Sequence, residues 1–112
     1  MHEFALAQDI VETIARNVGD EMSKLDVIHM EVGQFSGAVI DSLEFGLKII
    51  LQEKNLPAVK INIVPVPAAA ICDCKTEYEL DSIMTACPSC GSFQRQITSG
   101  KDVIIKSIEL KD

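Results

Sequence analysis

The chain has 112 residues, the length of one ordinary domain, and 47% of them are hydrophobic, a normal share for a globular protein with one modest core. Ten basic against seventeen acidic residues leave a net charge of −7, and with no Trp, one Tyr and no Lys/Arg stripe the sequence excludes nucleic acid as a partner. The N-terminus lacks a basic-then-apolar leader, and apolar runs such as Leu47 to Leu51 are far too short to span a bilayer, so a cytoplasmic protein without membrane contact is expected.

From Phe4 to Val18 apolar residues recur at Leu6, Ile10, Ile14 and Val18, with Val11 and Ala15 widening the stripe, which predicts an amphipathic helix stopped by Gly19. Leu25 to Gly33 is rich in β-branched residues and reads as a strand. A second helical segment opens at Ser36-Gly37, where Ile40, Leu43, Leu47, Ile50 and Leu51 share one face, and it ends before Asn55-Leu56-Pro57. Val59, Ile61 and Ile63 then alternate with Lys60 and Asn62, a strand expected to stop at Pro65 and Pro67 because proline lacks a ladder donor. Between Ala68 and Thr98 long periodicity gives way to Cys, Pro, Gly and turn residues, and Val103 to Leu110 returns to strand character. The predicted class is α+β: two helices packed on a small mixed three-stranded sheet, residues 1–67 with 99–112, and an inserted zinc-ribbon-like subdomain, residues 68–98.

All four cysteines, Cys72, Cys74, Cys87 and Cys90, lie in that insert. A reducing compartment disfavours disulfides, whereas soft thiolates on two short turns suit tetrahedral Zn2+. Cys87-Pro88-Ser89-Cys90-Gly91 is a C-x-x-C knuckle whose Gly91 tolerates positive φ. Cys72-Asp73-Cys74 has a single intervening residue, so either four sulfurs close the site or the Asp73 carboxylate or a water completes it. A structural zinc that staples an insert without an apolar face is the favoured reading. A catalytic zinc lacks any histidine nearby, and a redox dithiol at Cys87 and Cys90 lacks the βα context it needs.

His2 is the other residue with metal chemistry. Its imidazole, its deprotonated amide, the Met1 amine and the Glu3 amide make fused chelate rings that favour square-planar Ni2+ or Cu2+. His29, within the first strand, reads as a structural residue. Asp41 and Glu44, one helical turn apart, read as a solvated face, and no nucleophile–base set, P-loop or nucleotide fingerprint is visible, so no enzyme is expected.

Taken together, Met1-His2-Glu3 at the head of an amphipathic helix, Val32-Gly33-Gln34-Phe35-Ser36, Asp41-Ser42-Leu43-Glu44-Phe45, Cys87-Pro88-Ser89-Cys90-Gly91 and the Ile104-to-Glu109 ending resemble the HypA/HybF family of hydrogenase maturation factors over essentially the whole chain. The resemblance implies a nickel metallochaperone with Ni2+ held at His2 and the backbone nitrogens of His2 and Glu3, approached by Asp41, and with a separate structural Zn2+. It also implies a HypB-like GTPase and the [NiFe] hydrogenase large subunit as partners; some relatives also serve urease maturation. The family usually has C-x-x-C in both cysteine pairs, and the Cys72-Asp73-Cys74 pair departs from it. Because the ligands must lose protons, nickel affinity is expected to fall below about pH 6.5, the reference imidazole value. The rival reading is a zinc-ribbon interaction module with no nickel role.

Overall fold

A computed structural model describes residues 2–112. Helix α1 (Glu3–Val18) buries Ile10, Val11 and Ile14 of the predicted stripe and also Ala7, while Leu6, Ala15 and Val18 are half-buried. Gly19 ends it with φ 54°, and a 3-10 turn over Gly19–Lys24, unread in the sequence, leads into strand β1 (Leu25–Gly33). Helix α2 (Ile40–Glu53) begins later than Ser36-Gly37. Gly37 sits at φ 83°, and the Ser36 hydroxyl accepts the Ala38 N–H at 3.2 Å, so this stretch is a turn that precedes the helix. Leu43, Leu47, Ile50 and Leu51 are buried on its inner face.

Strand β2 (Lys60–Val66) pairs parallel with β1, as a helical crossover demands, and runs through Pro65 instead of stopping there. The sheet order explains the correction. It is β2-β1-β6, with β6 (Val103–Leu110) antiparallel to β1, so β2 is an edge strand. The Val66 carbonyl accepts from the Gln34 N–H on the β1 side, which turns the proline's missing donor toward the free edge. Ile28, Met30 and Val32 of β1 meet both helices in one core, and each fully buried aliphatic side chain there contributes about 1.5–3 kcal/mol.

A second antiparallel sheet lies between β2 and β6 in the chain: β3 (Ala68–Cys72), β4 (Glu77–Leu80) and β5 (Arg95–Ser99), in the order β4-β3-β5. Its own core is small, with Ala68, Ala70 and Leu80 buried and Phe35, Tyr78 and Ile97 packed against them. Phe35 reaches it from the β1–α2 loop. Beside it, the Gln34 side chain donates to the Asp81 carbonyl at 3.0 Å and accepts from the Ala68 N–H at 2.9 Å. The backbones of Gly33 and Gly100 touch where the two sheets meet: a Cβ on Gly33 would lie 2.3 Å from the Gly100 carbonyl carbon. The molecule is elongated, 54 × 25 × 18 Å, with a radius of gyration of 17.3 Å against about 13 Å for a spherical domain of this length. Among the described residues, no helix is long and apolar enough to cross a membrane.

Candidate metal centres

The zinc-type centre is built from two turns. Cys72 ends β3, and its N–H and C=O close the Cys72-to-Thr76 turn through bonds to Thr76 (2.9 Å) and Lys75 (2.8 Å), with Lys75 at φ 78°. Opposite, the Cys87 carbonyl accepts the Gly91 N–H at 2.9 Å, the Ser89 N–H points at the Cys87 sulfur at 3.4 Å, and Gly91 takes φ 74° as the knuckle requires. The Asp73 N–H donates to the Gln94 carbonyl at 3.0 Å and fastens the first turn to the segment before β5.

These turns gather all four sulfurs within 4.8 Å of one another; Cys72 and Cys90 are 3.5 Å apart, and Cys74 and Cys87 3.7 Å. A regular tetrahedron of Zn–S bonds near 2.3 Å has edges of about 3.8 Å, so the donor set fits Zn2+ in number, softness and spacing. The short C-x-C spacing is absorbed by the left-handed Lys75 and the hairpin that follows, and the cluster contains only the cysteines; the Asp73 carboxylate is not in it. When bound there, Zn2+ supplies cross-linking of the two turns, with no open position for chemistry.

The thiols are poised for a cation. The Thr76 hydroxyl and N–H pull Cys74 down to about 6. The Cys74 N–H acts on Cys72 in the same sense, but burial and the neighbouring sulfurs outweigh it and push Cys72 up to about 12. Burial works against ionisation of Cys87, yet the N–H groups of Cys90 and Ser89 bring it below the ordinary thiol value. Four sulfurs this close cannot all ionise alone, and a divalent ion removes that conflict.

At the other predicted site, His2 is exposed and caps α1 without a side-chain hydrogen bond, its carbonyl accepting the Leu6 N–H at 3.0 Å. Met1 lies outside the described residues. The Glu3 carboxylate reaches α2, accepting the Val39 N–H at 3.1 Å at the start of that helix. This bond holds the Glu3 carboxyl below the usual range and ties the head of α1 to the turn of α2 that carries Asp41. Val39 was not legible as a partner, since only its backbone takes part. Where α1 and α2 meet, Gly46 lies close under Ala7 and Phe4.

His29 is placed apart from both centres. Its Nε2 meets Glu109 at 2.5 Å and its Nδ1 meets Asn62 at 3.1 Å on the sheet face away from the helices, a cross-strand structural network. A cleft of about 310 Å3 between α1 and β6 is lined by Thr13, Ile14, Asn17, Ile105, Ser107 and Ile108 and holds none of the predicted ligands.

Comparison with known proteins decides the family. The model described as "Hydrogenase/urease nickel incorporation, metallochaperone, hypA" matches residues 1–110. The chain belongs to the HypA family. Similar proteins include the hydrogenase maturation factor HypA of Francisella philomiragia, 33% identical over 109 residues and covering 96% of this chain and 97% of that protein. The HypA of Geotalea uraniireducens is 31% identical over 112 residues, with 99% and 100% covered. Among solved structures, the solution structure of the Ni metallochaperone HypA from Helicobacter pylori aligns with a TM-score of 0.65 at 19% identity, covering 99% of this chain and 98% of that one. A second solution structure of a HypA protein gives 0.71 at 17% identity over 98% and 96%. These two establish the shared fold of helices and mixed sheets. A HypA protein is a nickel metallochaperone of hydrogenase maturation, with nickel as cargo and zinc as its structural ion.

Proposed function

We propose that Ni2+ is carried at the head of α1 by the Met1 amine, the amide and imidazole of His2 and the amide of Glu3, with Asp41 close by on α2, and is handed in the cytoplasm to the large subunit of [NiFe] hydrogenase with the help of a HypB-like GTPase. The zinc ligands in this reading are the four sulfurs of Cys72, Cys74, Cys87 and Cys90, and residues 68–98 form the zinc subdomain.

One observation carries the nickel reading: Glu3 is fixed by its carboxylate to Val39, so it offers the metal its amide. The first N–H groups of an α-helix have no intrahelical acceptor, so the amides of His2 and Glu3 are not tied up in the helix ladder, although that of Glu3 faces its own carboxylate. The positive end of the helix dipole favours the anions these amides form on losing a proton. His2 stands exposed beside them, where incoming ligands of a partner protein can replace it one bond at a time. An exposed site of few ligands suits a carrier, because nickel must leave it again.

The test is the N-terminus itself. Adding residues before Met1 converts the amine to an amide, and untagged protein is expected to bind Ni2+ more tightly than a tagged form with the same zinc content. Equal affinity removes the amine from the ligand set.

A further inference from the structure

The loop from Asp81 to Ala86, between β4 and the zinc knuckle, holds Ile83 70% and Met84 73% exposed, and Phe93 beside β5 is 55% exposed. Large apolar side chains so open to water are costly unless something covers them, and contiguous exposed apolar patches mark interaction sites. Here one side chain links them. The Arg95 guanidinium lies 5.9 Å from the centre of the Phe93 ring and donates to the carbonyls of Thr85 (2.6 Å) and Ile83 (2.8 Å).

This loop is held in shape. The Thr85 hydroxyl accepts the N–H groups of Asp81 and Ser82, both at 3.2 Å, the Ser82 hydroxyl accepts that of Met84 at 3.1 Å, and the Gln34 amide fixes the Asp81 carbonyl from the other sheet. Six side-chain bonds besides the knuckle thus orient two side chains that touch no core. A pre-ordered tip loses little entropy on docking. Leading into it, β4 is an edge strand with exposed Glu77 and Glu79, Asp81 follows, and none of these carboxylates forms an ion pair among the described residues. The charge specifies the partner's rim as basic.

We propose that this tip docks the nickel-free hydrogenase large subunit, inserting Ile83 and Met84 into an apolar pocket edged by Lys and Arg. The inference rests on the delivery reading above but not on its nickel ligands. A carrier that exchanges ligands at an exposed terminus makes few contacts there, and a second contact elsewhere on the chain keeps the acceptor at high effective concentration while the metal moves. That requirement applies to the protein receiving nickel, which is why the acceptor is the occupant.

The probe is the purified nickel-free precursor of the cognate large subunit, titrated with full-length zinc-loaded chain. Ile83→Ser/Met84→Ser is expected to weaken binding roughly 30-fold or more, as central apolar anchors do. Glu77→Lys/Glu79→Lys is expected to weaken it and to flatten its salt dependence. Both variants alter exposed positions and should keep wild-type zinc content and nickel stoichiometry. An unchanged Kd for the serine pair, with zinc intact, overturns the tip as the docking site. Failure of the wild type to bind the precursor at all overturns the delivery reading and the tip's role with it.

Discussion

Replacing Gly33 by alanine should separate the two sheets. The new Cβ would stand 2.3 Å from both the carbon and the oxygen of the Gly100 carbonyl and 2.8 Å from the Lys101 nitrogen, where ordinary carbon contacts are about 3.5–4.0 Å, so the backbones must part by roughly 1 Å. Neither side can yield by a rotamer change, since all three atoms are main chain, and Gly100 is itself pressed against Ala68. The same movement stretches two bonds of this junction, Gly33 N–H to the Asp102 carbonyl at 2.8 Å and Phe35 N–H to the Gly100 carbonyl at 2.7 Å. Overpacking plus two weakened bonds amounts to about 3 kcal/mol, or a drop of about 12 °C in Tm for a chain of this length. Gly37→Ala is the control: φ is 83° but nothing lies within 4 Å, so only the left-handed backbone cost of about 1–2 kcal/mol applies. Thermal unfolding of both zinc-loaded variants by circular dichroism checks the ranking. A Gly33→Ala midpoint within about 3 °C of wild type would refute the reasoning.

Leu47, fully buried between the helices and the first sheet, should cost about 2–5 kcal/mol when cut to alanine, measured by denaturant unfolding; a loss under about 1 kcal/mol would contradict the packing of this core. Glu3→Gln should lower the thermal midpoint near neutral pH. Because the folded Glu3 carboxyl is depressed, chiefly by the Val39 N–H, its stabilisation is present above the unfolded carboxyl value and disappears as pH falls through the lower folded one. The two proteins should therefore converge as pH falls into the acid range, and a gap that stays constant from neutral to acid pH would count against the contact. Stripping zinc with a strong chelator should collapse the NMR dispersion of β3, β4 and β5, whose core has only Ala68, Ala70 and Leu80 fully inside, while both helices and the first sheet persist. A fully dispersed metal-free spectrum would show that the zinc is dispensable to the fold.

Both helices were legible because their stripes are long and regular: Ile10 and Ile14 in α1, Leu43 and Leu47 in α2, each buried as the period of 3.6 requires. The three strands of the mixed sheet were legible from β-branched runs, but Pro65 misled, since whether a proline breaks a strand depends on which edge its nitrogen faces. The second sheet was missed. Glu77-Tyr78-Glu79-Leu80 does alternate, yet strands of four or five residues leave too few repeats beside the cysteines to stand out. The clustering of four sulfurs followed from cysteine chemistry, whereas the closure of a C-x-C pair depended on Lys75 taking a left-handed conformation, which composition does not announce. At the N-terminus the donor atoms were visible in Met1-His2-Glu3, but the tie from Glu3 to Val39 crosses the whole of α1 and β1 in sequence and exists only in the folded chain. Phe35 is similar: a loop aromatic by sequence, and a core residue of the second sheet in three dimensions.

The most direct test of the nickel-carrier account is titration of Ni2+ into untagged, zinc-loaded protein, followed by calorimetry and absorption, with His2→Ala alongside. Wild type is expected to take up about one Ni2+ per chain with the spectrum of a square-planar nitrogen-rich site, and His2→Ala to lose that event while its zinc content and thermal midpoint stay unchanged. Superimposable isotherms and spectra for the two proteins would contradict the account, because nickel would then be bound without the imidazole on which the site is built.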